Sequence, residues 1–324
     1  MSLHRKGDNF KINLMGKNLI VILGATASGK THLAARLASE LQGEIISADS
    51  RQVYRGMDLG TGKDLHQYII DGRRVPCHLV DILDPSCEFN VYDFQKRFYE
   101  VFDQVRKRNR LPVLCGGTGL YLEAVLMSYQ MPQAVSDPAL TALLSEKTIP
   151  ELQEILCSYP TQLHNRTDLD DRGRLIRRIE IEAARKNPAR PDAQRPVIDP
   201  AVFGIRRDRT DLRRRIALRL KERIGQGMIE EVEGLHTNGL SWERLESFGL
   251  EYRFIAQYLQ DKITKDEMIS LLAIAIGQFA KRQETWFRRM ERRGIDVTWV
   301  DGDDYQALKD RIMKAMDEET FFTG

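Results

Sequence analysis

The chain has 324 residues, of which 42% are hydrophobic and 30% charged, and its net charge is +2. That length gives room for a sizeable core in roughly one to three domains, and the near-neutral balance excludes a global polycation. Any nucleic-acid surface must therefore come from local clusters of Arg and Lys.

Met1 to Lys17 is polar and charged, with no apolar signal-like stretch, and no run anywhere reaches the roughly 18 apolar residues of a membrane span. Cys77, Cys87, Cys115 and Cys157 include no CxxC pair, so a zinc knuckle or dithiol redox site is not expected. The expectation is a soluble, cytoplasmic chain with reduced cysteines and no membrane contact.

In chain order, residues 18–23 (NLIVIL) form an apolar, β-branched run ended by glycine, the pattern of a buried parallel strand. Leu33, Leu37 and Leu41 then recur at helical spacing. Residues 44–48 (EIISA) read as a second strand and 78–83 (HLVDIL) as a third, broken by Asp84-Pro85. Residues 92–107 predict an amphipathic helix with Phe94, Phe98, Val101, Phe102 and Val105 on one face, and 112–115 a fourth strand before a helix over 120–127. Alternating strands and helices with glycine turns predict a parallel α/β sheet.

The pattern changes near residue 130. From there to about 198 helical stretches at 138–158 and 169–186 precede a proline-rich segment, and no strand stands out. The division predicted is a core over 17–128, an all-helical insertion over 129–200, and the rest of the core over 201–324. That last part has a strand near 202–205, helices at about 209–236, 250–260 and 264–291, and a late strand near 296–300.

Gly24-Ala25-Thr26-Ala27-Ser28-Gly29-Lys30-Thr31 matches G-x4-G-K-[ST], and it sits between a predicted strand and a predicted helix. Backbone amides of such a loop close around phosphate oxygens, and the helix N-terminus adds partial positive charge. Lys30 supplies a point charge and the Thr31 hydroxyl is suited to Mg2+. The motif alone implies a di- or triphosphate, with an ATP-using kinase as the default.

Two further loops follow strands. Asp49 lies after the second strand, where loops converge on the phosphate site, so its carboxylate can accept a proton or anchor metal; Asp-Ser alone is more often a helix cap. Gly116-Gly117-Thr118-Gly119 offers close backbone approach and the Thr118 hydroxyl, although most such runs are only turns. Asp81 is the best candidate for an acidic metal ligand on a strand, against a plain turn-forming role.

The blocks GATASGKT (24–31), DSRQVYRGMDLGTGK (49–63), HLVDILDP (78–85), PVLCGGTGLYL (112–122) and AKRQETWFR (280–288) occur in order. RLIRRIEI (174–181), RIALRL (215–220), GMIEEV (227–232) and FGLEYRF (248–254) add to them. Together they resemble the tRNA dimethylallyltransferases, also called tRNA isopentenyltransferases, over roughly residues 18–300. The resemblance implies a P-loop-kinase-like parallel sheet core with an all-helical insertion. It also implies transfer of a dimethylallyl group from dimethylallyl diphosphate to N6 of the adenosine 3′ of the tRNA anticodon.

By that resemblance Asp49 is the general base, Thr118 contacts the target nucleotide, and Thr26, Ser28, Lys30, Thr31 and Arg219 hold the diphosphate with Mg2+ nearby. Asp49, Ser50, Arg51 and Gln52, with Gly173, Arg174, Leu175, Ile176 and Arg177, are the implied tRNA contacts at the anticodon stem-loop, and the enzyme is expected to act as a monomer. Residues 206–223 hold nine Arg/Lys against three acids and residues 172–195 eight against three. Taken singly such clusters are usually solvated helix faces; two beside a phosphate site fit an RNA partner.

Ala25 stands where the family usually has proline, and Ile276-Gly277 where it has threonine and arginine. Leu250 replaces a tyrosine, and Thr141 an arginine. These departures leave the chemistry in place and bear on tRNA affinity. The competing expectations are an adenylate isopentenyltransferase using a free nucleotide, a small-molecule kinase, and an idle RNA-binding protein.

Overall fold

The computed structural model describes residues 17–131, 138–159, 171–186, 195–302 and 304–317. The first apolar run is β1 (Leu19–Gly24), followed by α1 (Lys30–Glu40) and β2 (Gly43–Ala48). A single turn at Leu65–Tyr68 leads into a two-stranded ribbon, β3 (Ile69–Ile70) with β4 (Arg73–Arg74), and then β5 (Cys77–His78). α2 (Val91–Lys107) opens on a reciprocal cap in which Asn90 accepts from Asp93 N and Asp93 from Asn90 N, which satisfies amides no helix turn can reach. β6 (Leu111–Gly116) and α3 (Gly119–Leu126) complete this half.

Next come α4 (Pro138–Ser145), α5 (Ile149–Cys157) and α6 (Arg172–Lys186). The chain continues through β7 (Pro200–Arg206), α7 (Arg209–Gly225), α8 (Met228–Thr237), α9 (Trp242–Ser247) and α10 (Leu250–Leu259). It closes with α11 (Lys265–Arg292), β8 (Thr298–Asp301) and α12 (Tyr305–Asp317).

Among the described residues, six strands form one parallel sheet in the order β5-β2-β6-β1-β7-β8. β1, β2 and β6 are buried along their whole length, as strands covered on both faces must be. One face packs on α1 and α12 through Leu37, Ile45, Leu308 and Ile312. The other packs on α2 and α3, where Phe94 stacks on Tyr121 at 4.1 Å between ring centroids. β6 lies between β1 and β2, so the loops leaving these three strands open side by side at their C-terminal ends.

Two compact units emerge. One joins the residues up to Ser128 with those from Pro196 onward, and the second spans Tyr129–Arg195. In the second unit α5 and α6 pack around Leu152, Leu156, Leu175 and Ile179, and Arg195 donates to Tyr129 O at 2.8 Å across its two ends.

The strand expected over 78–83 shrinks to two residues. Leu79 (φ 61°) and Asp81 (φ 55°) take left-handed backbone that no strand allows. The amides of Asp81, Ile82 and Leu83 bond instead to Gln52 O and Val53 O, and Asp81 is ion-paired with buried Lys63. The helix expected over 209–236 breaks at Gly227 (φ 101°) into α7 and α8, while α9, α12 and the ribbon carried no clear sequence pattern.

Candidate active site

The loop after β1 wraps tightly: Ser28 N bonds Ala25 O at 3.2 Å, and Ala27 (φ 61°) and Gly29 (φ 89°) adopt left-handed backbone. A Cβ on Gly24 would lie 2.8 Å from both Ile205 O and Ser28 Oγ, so glycine is a packing requirement there. Three distant side chains fasten the loop from outside. Arg207 donates to Ser28 O (2.8 Å), Arg215 to Ala27 O (3.0 Å), and Gln283 accepts from Thr26 N (2.8 Å).

Inside the loop, α1 begins with no acidic residue in its first turn, so its amides keep their partial positive charge. Ser28 Oγ is buried and has no hydrogen-bond partner among the described residues, an orphan that a phosphate oxygen would satisfy. Burial pushes the Lys30 ammonium below its usual pKa; Cys115 and Asp49 oppose this and Arg219 adds to it, so these groups share one electrostatic neighbourhood.

Asp49 follows the last residue of β2, and its Oδ1 accepts from Arg51 N at 2.9 Å. Thr118 at the head of α3 accepts from Ser50 N (3.2 Å), and its own amide reaches Ala48 O (3.3 Å). A Cβ on Gly116 would fall 2.2 Å from Ala48 O, which is why the third loop can lie directly against the second. Gln283 donates to Gly117 O (2.8 Å) while holding Thr26 N, so one side chain of α11 joins the first loop to the third.

Arg215, Arg219 and Arg223 recur every fourth residue along α7, on one face of the helix. Arg219 donates to Asp64 Oδ2 (2.7 Å), and Arg223 to the same carboxylate (3.1 and 3.2 Å). These arginines, with Lys30, Thr31, Asp64 and His66, line a cleft of about 330 Å³ that opens on the phosphate loop. A smaller apolar recess made by Ile216, Leu220, Met228 and Ile276 adjoins Thr26 and Arg219. Burial raises the pKa of Glu251 at its edge, and burial together with the neighbouring Arg223 lowers that of Arg219.

Among the described residues, no three His, Cys, Asp or Glu side chains gather as a metal cage. The Thr31 hydroxyl, which lines the cleft, is an oxygen donor of the kind a hard divalent cation takes. Asp81, the strand candidate for a metal ligand, is engaged by Lys63.

Of the residues named from sequence, Asp49, Ser50, Arg51, Gln52, Thr118, Arg219 and the loop 24–31 lie in the larger unit. Gly173 to Arg177 lie on α6 of the helical unit. There Gly173 and Arg174 are exposed, Leu175 is fully buried in that unit's own core, and Arg177 pairs with Glu180 at 3.1 Å. Asp64, Arg223 and Gln283 were not singled out from sequence. The every-fourth-residue arginine spacing on 215–223 was the available signal for Arg223; Gln283 stood inside the AKRQETWFR block with nothing to mark its role.

Residues 52–290 match the model of the IPP transferase family. The chain belongs to this family. It is 56% identical to tRNA dimethylallyltransferase 1 of Syntrophus aciditrophicus, over 92% of this chain and 98% of the relative. It is 52% identical to tRNA dimethylallyltransferase 2 of Treponema denticola, over 87% and 95%. Its fold matches that of the tRNA isopentenylpyrophosphate transferase of Bacillus halodurans with a TM-score of 0.67 at 31% identity, over 94% of this chain and 98% of that one. A eukaryotic dimethylallyltransferase acting on tRNA shares the fold at a TM-score of 0.64 and 21% identity. Membership of the IPP transferase family makes this a prenyl-transferring enzyme, and a small-molecule kinase is not favoured. The described helices of this transferase include none long and apolar enough to cross a membrane.

Proposed function

We propose that the protein transfers the dimethylallyl group of dimethylallyl diphosphate to N6 of the adenosine immediately 3′ of a tRNA anticodon, releasing diphosphate. The observation that carries this reading is the meeting of three loops at the ends of β1, β2 and β6: the phosphate loop with Lys30, the Asp49 loop, and the Thr118 loop. A proton acceptor and an anion site belong together in a substitution where a proton and a diphosphate leave from opposite sides of the new bond.

In this reaction the adenine N6 forms a bond to the allylic C1 as the C1–O bond to diphosphate breaks. Asp49 accepts the N6 proton. Thr118 orients the base, whose extrusion from a single-stranded loop costs less than from a duplex. The amides of residues 24–31, Ser28, Lys30 and Arg219 take up the charge of the departing diphosphate. Thr31 would hold Mg2+, whose chemistry when bound is to neutralise diphosphate oxygens. The arginines of the 129–200 insertion, with residues 49–52 and Gly173, Arg174, Ile176 and Arg177, supply the contacts to the anticodon stem-loop, while Leu175, buried in its own unit's core, supports them from within, and the enzyme works as a cytoplasmic monomer.

The test is incubation with labelled dimethylallyl diphosphate and an anticodon stem-loop, with excess free AMP as competitor. Label on the stem-loop adenosine supports the proposal; label on AMP alone would assign the nucleotide acceptor instead. Asp49→Ala is expected to lower kcat by about 10²–10⁴-fold while stem-loop binding is largely retained. Turnover at the unaltered rate overturns the base assignment.

A further inference from the structure

The segment between Met57 and Asp64 is fastened more heavily than a surface loop needs. Glu231 on α8 accepts from the amides of Asp58 (2.8 Å), Leu59 (2.7 Å) and Gly60 (3.0 Å), and from the Tyr252 hydroxyl (2.7 Å). Lys63 is buried, with its ammonium on Tyr54 O (2.8 Å), Asp58 (2.7 Å) and Asp81. Gln52 donates to Gly62 O (3.2 Å), which ties the strap to the Asp49 loop.

What this strap delivers is one carboxylate. Asp64, at its end, meets Arg219 at 2.7 Å and Arg223 at 3.1 Å, inside the cleft that opens on the phosphate loop. The strap passes close to both guanidiniums: at Gly62 (φ 69°) a Cβ would lie 2.4 Å from Arg223 Nη2 and 2.8 Å from Arg219 Nη2. Two guanidiniums this close repel each other, and Asp64, half-buried itself, offsets one of the two charges. Glu251 also faces them; burial pushes its pKa up, while Arg223 and Arg219 pull it down.

We propose that Asp64 is a positioning residue that holds Arg219 and Arg223 in place without substrate and then competes with diphosphate for them, so that its charge sets how readily the leaving group departs. This rests on the diphosphate reading of the cleft. A carboxylate that shares the arginines weakens every diphosphate held there. Removing only its charge therefore tightens donor and product together, and turnover becomes limited by product release.

The experiment is calorimetric titration of Mg2+–pyrophosphate into the full chain, the Asp64→Asn variant and the Asp64→Ser variant, with thermal melts to establish folding. Both neutral variants are expected to bind pyrophosphate roughly tenfold more tightly, the effect of one unit charge at hydrogen-bond range in a partly solvated cleft. KM for the allylic diphosphate should fall together with kcat, while single-turnover transfer keeps its rate. A residue that merely props up Arg219 would do the reverse, weakening pyrophosphate and raising KM. Equal or weaker binding in both folded variants overturns the inference alone. No pyrophosphate binding by the unaltered chain overturns the diphosphate reading and this inference with it.

Discussion

Lys30 and Asp64 sit in the same cleft, yet only one could be read from sequence. Lys30 is announced by neighbours within six residues, because a phosphate loop is a local structure: a strand, a tight glycine turn and a helix start. Asp64 has no such frame. Its partner Arg219 is 155 residues away, and only the fold brings the two together. Lys30 is also a residue whose loss tests the proposed leaving-group site directly. Lys30→Met keeps the side-chain volume and removes a charge that stands 3.4 Å from Ala25 O and has no closer protein partner among its hydrogen bonds. It is expected to reduce kcat about 10²–10³-fold, the usual loss for a preorganised electrostatic contact, with an unchanged melting temperature. Single-turnover kinetics check the first and calorimetry the second.

At the scale of elements, α11 was predicted almost to its ends, because its buried positions Met268, Leu272, Ile276, Ala280, Gln283, Phe287 and Met290 keep a helical period. Gln283 is the polar member of that stripe, and its partners explain it. Cutting it to Ala leaves Thr26 N and Gly117 O without the bonds that join the first and third loops. Each orphaned group costs about 1–3 kcal/mol where water cannot reach it. Gln283→Ala should therefore lower thermal stability and raise KM for the diphosphate donor. Gln283→Glu, which still accepts from Thr26 N but cannot donate to Gly117 O, should fall between; equal KM values in all three proteins would refute the tether. The third predicted strand shortened to the two residues of β5 for the opposite reason. HLVDIL has strand composition, but Lys63 and the carbonyls of residues 52 and 53 compete for its backbone and its aspartate, and they win.

For the whole molecule, the edge of the sheet carries a pH-sensitive clasp. Glu44 on β2 is buried, with Arg108 after α2 at 3.1 and 2.6 Å and His78 on β5 at 2.7 Å. Burial by itself would raise the Glu44 pKa, but the hydrogen bonds from Arg108 and His78 outweigh it and hold the carboxyl below the usual 4.5. A depressed folded pKa means that the stabilisation is complete above the unfolded value and is lost as pH falls through the folded one. Melting temperature should therefore drop as the medium is acidified below about pH 4.5. Glu44→Gln should melt lower at neutral pH and show a shallower acid dependence, with the two curves converging at low pH. Parallel curves would remove Glu44 from the acid response.

By itself the sequence determined the α/β class, the phosphate loop, most of the elements and, through the ordered blocks, the family. Each of these is written in spacing along the chain: glycines that permit a turn, apolar residues at the period of a helix or strand, motifs in sequence order. Tertiary structure alone decided that Asp81 serves Lys63, that Gln283 joins two loops, and that Arg219 and Arg223 share Asp64. Those pairings depend on which strands lie side by side, and local spacing carries no trace of a partner that arrives from the far end of the chain.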